Sequence, residues 1–304
     1  MLSLARSEKG SLRSWRKQLQ GWSLASPYLI FTIIFFVIPL LWSIFLVFQN
    51  WNLISPTPQF IGLANFQEAL TSPRVRQAFF VSYKFMLFFI PLVLAASIGL
   101  ALILHHIPRW KALFAVGFFL PYLASGVVSS LIVRGFLSYD SAFNVFLRSH
   151  FGASPDWLGN GTLATLVIVV MLVWKLSGYY ALIFLSGLQG IAPEIYEAAS
   201  IDGVSRWASF WRITLPLLYP AFYTVLILAV GMMFSIFTEP FTLTNGGPDM
   251  ATQTWQLEIY YQAFDQFRSG YAATIALINA VVTLLTILII RRLVEAWGHH
   301  YGWD

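Results

Sequence analysis

The side chains able to do acid–base or metal chemistry are few. The chain of 304 residues carries 13 Asp and Glu, 18 Lys and Arg, five histidines and no cysteine. Without cysteine there is no disulfide framework and no thiolate metal site. His105, His106, His150, His299 and His300 have no carboxylate at the spacing of a metal site or a triad, and the two His-His pairs read as solvated imidazoles at membrane edges. No Gly-x-x-x-x-Gly-Lys-Ser/Thr loop is available to cradle a phosphate, and no Gly-x-Ser-x-Gly elbow to carry a nucleophile. The chain is therefore expected to be no enzyme and to hold no metal or cofactor of its own. Two charges stand out by their surroundings instead. Lys175 lies inside a long apolar run beside Trp174, Gly178 and Tyr179, and Glu239 lies at the end of another with Phe241 and Thr242. A charge at the centre of a bilayer costs ~2.5–3.5 kcal/mol on insertion scales, so Lys175 should face a cavity or a partner.

The elements that hold these residues are set by composition. The chain is 58% hydrophobic and only 10% charged, with mean hydropathy +0.71, against about 25% charged in a soluble domain. Polar surface is too scarce to cover a water-facing body, which excludes a soluble globular enzyme, a disordered chain and a disulfide scaffold. Crossing a ~30 Å hydrocarbon core takes ~20 helical residues. Six runs qualify: Tyr28 to Gln49, Ala78 to Leu104, Ala112 to Leu137, Leu163 to Ser186, Leu217 to Thr238 and Ala272 to Ile290. The expectation is an all-α polytopic membrane protein with about six transmembrane helices. Pro39, Pro91, Pro121 and Pro220 fall in or beside these runs and are tolerable where neighbouring helices satisfy the freed carbonyls. Small residues such as Ala95, Ala96, Ser97, Gly99 and Ala101 are expected to let helices approach closely.

The division expected is a basic cytoplasmic tail over 1–26, a first span over 27–49 and an external segment over 50–77. A membrane core over 78–292 and a cytoplasmic tail over 293–304 follow. With the N-terminal tail inside, eleven Lys and Arg lie on the inner side and five on the outer, which puts both termini in the cytoplasm. The net charge of +5 is then a membrane-topology signal rather than a nucleic-acid footprint. Lys84 is expected to snorkel to the outer interface.

The inner loop between the fourth and fifth runs is about thirty residues long, more than a plain connector needs. Pro193 suits a first helical turn, with Glu194 and Glu197 near its positive end. Gly203 suits a stop, and Ser205 a cap for a second short helix bearing Trp207, Phe210 and Trp211. Ala198 and Ala199 offer a flat, small face to another protein. The stretch Glu197-Ala198-Ala199, three residues, Gly203, nine residues, Ile213, one residue, Leu215-Pro216 resembles the EAA loop of binding-protein-dependent ABC importer permeases. Phe60-Ile61-Gly62-Leu63-Ala64-Asn65-Phe66, Gly187-Leu188-Gln189, Thr244-Asn245-Gly246-Gly247-Pro248 and Tyr260-Tyr261-Gln262-Ala263-Phe264 are similar to sugar permeases of the maltose and glycerol-phosphate type. Many such relatives have Asn-Thr where this chain has Tyr83-Lys84.

The resemblance spans about Pro27 to Arg292 and implies a type I ABC importer permease of the inner membrane. It implies a coupling loop over 187–216, in which Glu197, Ala198, Ala199, Asp202, Gly203, Ile213, Leu215 and Pro216 engage a cytoplasmic ABC ATPase dimer. ATP and Mg would be bound in that partner. A second EAA-loop permease subunit and an extracytoplasmic solute-binding protein would complete the assembly. Because aromatic faces stack on sugar C–H faces and polar tips bond hydroxyls, Trp174, Lys175, Gly178, Tyr179, Glu239, Phe241 and Thr242 are candidates for the solute path. Glycerol phosphate or another small polar solute is an alternative cargo. An ion-driven secondary transporter is the rival class; it would favour intramembrane acid pairs or interrupted helices, and the sequence carries no convincing acid pair.

Overall fold

A computed structural model describes residues 20–52, 54–107 and 109–300. Most of the expected basic tail and the last four residues lie outside that range, as do the side chains of His299 and His300. The protein is an all-α polytopic membrane bundle. Four helices are each long and apolar enough to span: α1 (Gln20–Leu46), α3 (Pro73–His106), α7 (Gly161–Gln189) and α13 (Ser269–His300). Counting each of two bent pairs as one span gives up to six by length and composition. In one, α4 (Lys111–Leu123) meets α5 (Gly126–Phe136) at 91°, and a short helix α6 (Ala142–Phe151) follows; in the other, α9 (Arg206–Leu217) meets α10 (Tyr219–Ser235) at 68°. The third run is thus not the continuous rod expected from its apolarity. The chain turns extended at Ala124 and Ser125 before restarting at Gly126, while Pro121 lies inside α4.

Prolines elsewhere are absorbed differently. Pro39 and Pro216 each stand two residues after a π-helical turn, Ile33–Val37 and Phe210–Thr214. The widened turn relieves the clash and the missing hydrogen bond without ending the helix. Helix α1 also begins at least seven residues before the expected boundary at 27, because helical backbone continues past the apolar stretch that defines the span.

The expected external segment is ordered by side-chain bonds. Strands β1 (Gln49–Asn50) and β2 (Gln59–Phe60) pair antiparallel, with Gln49 opposite Phe60. Helix α2 (Ala64–Thr71) follows, and its buried Asn65 amide donates to the Val47 and Gln49 carbonyls at 2.8 and 3.0 Å. The end of α1 is thereby held against α13, where Gly270 leaves room for the Gln49 carbonyl. The close approach expected at Gly99 is not seen: a Cβ there would meet nothing within 4 Å. Close approaches occur instead at Gly178 and Gly270.

Helices α3, α7 and α10 enclose the main core, built from Phe85, Phe89 and Val93, Ile168, Leu172 and Phe184, and Val225, Ala229 and Met233. A second core joins Val75 and Ala78 to Val230, Phe234, Trp255 and Ile275. In lipid such contacts hold helices together through close packing rather than by removal from water. Helix α1 stays outside both cores and presents Phe31, Phe35, Phe36 and Leu40 outward.

Candidate functional site

The segment between α7 and α10 folds as the sequence signals require. Helix α8 (Pro193–Ile201) starts on Pro193 with Glu194 in its first turn. It ends at Asp202, and Gly203 takes φ +74°, a left-handed conformation that costs other residues. Ser205 caps α9, its hydroxyl accepting from the Ala208 N–H at 3.2 Å. Glu197, Ala198, Asp202 and Gly203 are exposed. Ala199, however, is turned inward, and its carbonyl accepts from the Val204 N–H at 2.9 Å. The two alanines do not form one flat face, because consecutive helical residues point about 100° apart. The outward apolar surface comes from Ile201, 86% exposed, and Trp207, 71% exposed. Ile201 carries no pattern signal of its own beyond being an isoleucine beside a turn. Pro216 is buried and Ile213 and Leu215 are half-buried, where α9 turns into α10. Tyr196 and Thr214 join α8 to α9 by a hydroxyl–hydroxyl hydrogen bond of 3.1 Å.

The seven solute-path candidates do not converge on one cavity. Lys175 and Glu239 meet each other: the ammonium lies 3.4 Å from the carboxylate, with side chains 13% and 4% exposed. Lys175 stands at the midpoint of α7, and Glu239 in the first turn of α11 (Thr238–Thr244). Gly126, at the start of α5, completes this node; a Cβ there would sit 2.9 Å from Glu239 Oε1. Gly178 lies beneath α4, where any Cβ would overlap the Phe118 carbonyl. Tyr179 stacks on Tyr122 with ring centres 4.6 Å apart and planes 12° apart. It lines an open cleft of about 570 Å³ with Phe119, Ser186, Pro220 and Thr224. Trp174 points elsewhere, into an apolar groove of about 420 Å³ with Phe136, Trp157 and Val170. Phe241 stacks on Phe237 and packs against Tyr260, and Thr242 is half-buried beside it. Tyr122 and Gly126 were not legible as site residues, since nothing local marks their long-range partners.

At the other end of the bundle, Asn245 and Gly246 both take positive φ, so Asn245-Gly246-Gly247-Pro248 is the tight turn its composition suggests. Thr252 fastens it, pairing with the Thr244 hydroxyl at 2.7 Å and donating to the Gly247 carbonyl at 2.9 Å. Beneath it the buried Glu258 of α12 (Trp255–Tyr260) accepts from the Gln253 and Gln262 amides, each at 2.8 Å. The Tyr261 hydroxyl donates to Asn245 Oδ1 at 2.6 Å. Burial, and then the nearby Asp265 charge, push its pKa above the ordinary tyrosine value. A cavity of about 380 Å³ opens here between Arg74, Asn245, Gly246, Tyr261 and Asp265. Lys84, rather than reaching an interface freely, donates to the Ala251 carbonyl at 2.8 Å and tethers this loop to α3. Neighbouring Tyr83 bonds Thr286 of α13 at 2.6 Å, so the pair that departs from the Asn-Thr pattern serves helix and loop attachment.

Residues 17–298 match the sequence profile described as binding-protein-dependent transport system inner membrane component. The chain belongs to this family. Among its relatives, the probable ABC transporter permease protein YesP of Bacillus subtilis is 33% identical over 95% of this chain and 94% of its own length. The multiple sugar-binding transport system permease protein MsmF of Streptococcus mutans is 31% identical over 90% of this chain and 94% of its own. The fold matches, with TM-score 0.80 and 23% identity, a chain from the crystal structure of a bacterial ABC transporter involved in the import of the acidic polysaccharide alginate. The match covers 93% of this chain and 99% of that one. As in the rest of this family of transport components, the polytopic bundle is a membrane part of a larger system.

Proposed function

We propose that this permease is the membrane subunit of an ATP-driven, binding-protein-dependent carbohydrate importer, and that α8 and α9 form its coupling segment. The observation that carries this reading is the shape of that segment. A two-helix projection, set by a left-handed glycine and a hydroxyl tie, presents Ile201 and Trp207 beside Glu197 and Asp202. Exposed apolar side chains flanked by charged ones, Glu197, Asp202 and Arg206, suit a docking cleft on another protein. The partner would be a cytoplasmic ABC ATPase dimer that binds ATP and Mg. A second permease subunit and an extracytoplasmic solute-binding protein complete the assembly.

Carbohydrate is the class favoured by the sugar-system relative and by the stacked Tyr122–Tyr179 pair beside an open cleft. Transport follows from alternating access. ATP binding stabilises one conformation of the ATPase pair, the coupling segment follows it, and α7 and α10 carry the change into the membrane. Both termini and the coupling segment lie in the cytoplasm on this reading. The test is reconstitution of the whole transporter with Glu197→Lys or Ile201→Asp. ATP-driven uptake should fall at least tenfold while the binding protein still associates. Unchanged uptake in both variants overturns the assigned role of α8.

A further inference from the structure

The Lys175–Glu239 pair deserves a role of its own, because its place in the chain is mechanical. Helix α7 leads into the coupling segment and α10 leads out of it. Lys175 sits halfway along α7, and Glu239 sits just past the far end of α10. The contact at 3.4 Å therefore clasps the two arms of the coupling segment on the side away from it. Glu239 also stands at the first turn of α5, so close that a side chain at position 126 would press on Glu239 and Thr238. The free N–H groups of a helix start favour a carboxylate there. The charged point thus ties α11 to the middle of α7, beside the start of α5.

We infer that Lys175 and Glu239 are positioning residues that make α5 and α11 move with α7 when the coupling segment moves, rather than contacts for the cargo. The inference rests on the proposed ATP coupling. Neither side chain lines the cleft at Tyr179 or the groove at Trp174. Each charge is already satisfied by the other, which leaves no net charge to attract or repel a solute. Ser129 and Ser130 are buried on the same α5 face as Gly126, three and four residues on, and their hydroxyls have no partner among the described residues. Small side chains on that face let α5 lie close against α11, whose Leu243 enters the main core, and the charged point adds a directional tie from α11 to the middle of α7.

The experiment uses the whole transporter in lipid, with spin labels at the exposed positions Leu131 on α5 and Val170 on α7. Distances are measured without nucleotide and with Mg-ATP, in the parent and in K175M/E239Q. Removing both charges leaves no lone ion in the membrane, so this variant tests the tie without the folding penalty of a single substitution. K175R serves as the conservative control, and a thermal melt confirms assembly. The parent and K175R should give one narrow distance distribution in both states. In K175M/E239Q that single distribution should be lost on Mg-ATP addition, giving a broad or split one. An unchanged narrow distribution in the assembled double variant overturns the inference. If label pairs between the coupling segment and the ATPase do not respond to Mg-ATP in the parent, the ATP-coupling reading itself fails, a distinct outcome.

Discussion

The hydroxyls of Tyr196 and Thr214 meet at 3.1 Å across the turn that Gly203 makes, so the two helices of the coupling segment form one unit. Thr214 is buried near the end of α9, within the π-helical turn that precedes Pro216 and α10. A push on α8 thus reaches the fifth span through a side-chain bond as well as through the backbone.

Removing either hydroxyl leaves the other poorly satisfied, at a cost of about 1–3 kcal/mol. Tyr196→Phe and Thr214→Val should each lower ATP-driven uptake several-fold with binding-protein association unchanged. The double variant should be little worse than the poorer single one, since both remove the same contact. A double-mutant cycle on thermal stability and on uptake measures the coupling; strict additivity would mean the bond carries nothing.

Gly203 has φ +74° and no heavy atom within 4 Å of a built Cβ. Space is therefore free and only backbone strain opposes a side chain, about 1–2 kcal/mol for an ordinary L-residue. Gly203→Asn should be nearly silent, Gly203→Ala intermediate and Gly203→Val the most harmful to uptake. An equal loss for Asn and Val would show that the position senses bulk or contact with a partner, not conformation.

Much of this was legible in the residues. Spans are visible because lipid demands about twenty apolar residues in a row, and the α8–turn–α9 segment because Pro193, Gly203 and Ser205 punctuate it locally. The break between α4 and α5 was hidden, because apolarity runs on through Pro121 and says nothing of direction. The Lys175–Glu239 contact was hidden for a different reason. The two residues are 64 positions apart, and each reads locally as a lone charge near membrane. Two adjacent alanines, Ala198 and Ala199, suggest one small face, but helical geometry sends the second inward.

Tyr261 gives a pH test at the Asn245 turn. Burial raises its pKa, so the fold favours the neutral phenol that donates to Asn245. That contribution is complete below the ordinary tyrosine pKa of about 10 and is lost as pH climbs through the higher folded value. The loop should be insensitive to pH from neutral to mildly alkaline and loosen only beyond. A phenolate absorbance titration of the parent minus Tyr261→Phe should place this group above the ordinary tyrosine range. A difference midpoint at or below that range contradicts the assignment.

Gly178 and Gly99 make a matched comparison, each a glycine inside a spanning helix. A Cβ at Gly178 would overlap the Phe118 carbonyl of α4, a backbone atom that cannot swing aside; at Gly99 it would meet nothing within 4 Å. Gly178→Ala should therefore force α4 away from α7, costing about 1–3 kcal/mol as overpacking usually does, or more where the obstacle is backbone. It should also disturb the Tyr122–Tyr179 stack, which bridges the same two helices one residue further on. Gly99→Ala should be neutral or slightly stabilising, since alanine is the better helix former by roughly 1 kcal/mol. Melting temperatures of the two variants in detergent decide the matter: the first should drop by several degrees and the second should not. A fall in both would mean that the α3 face around Gly99 is also packed, against a surface supplied by another subunit.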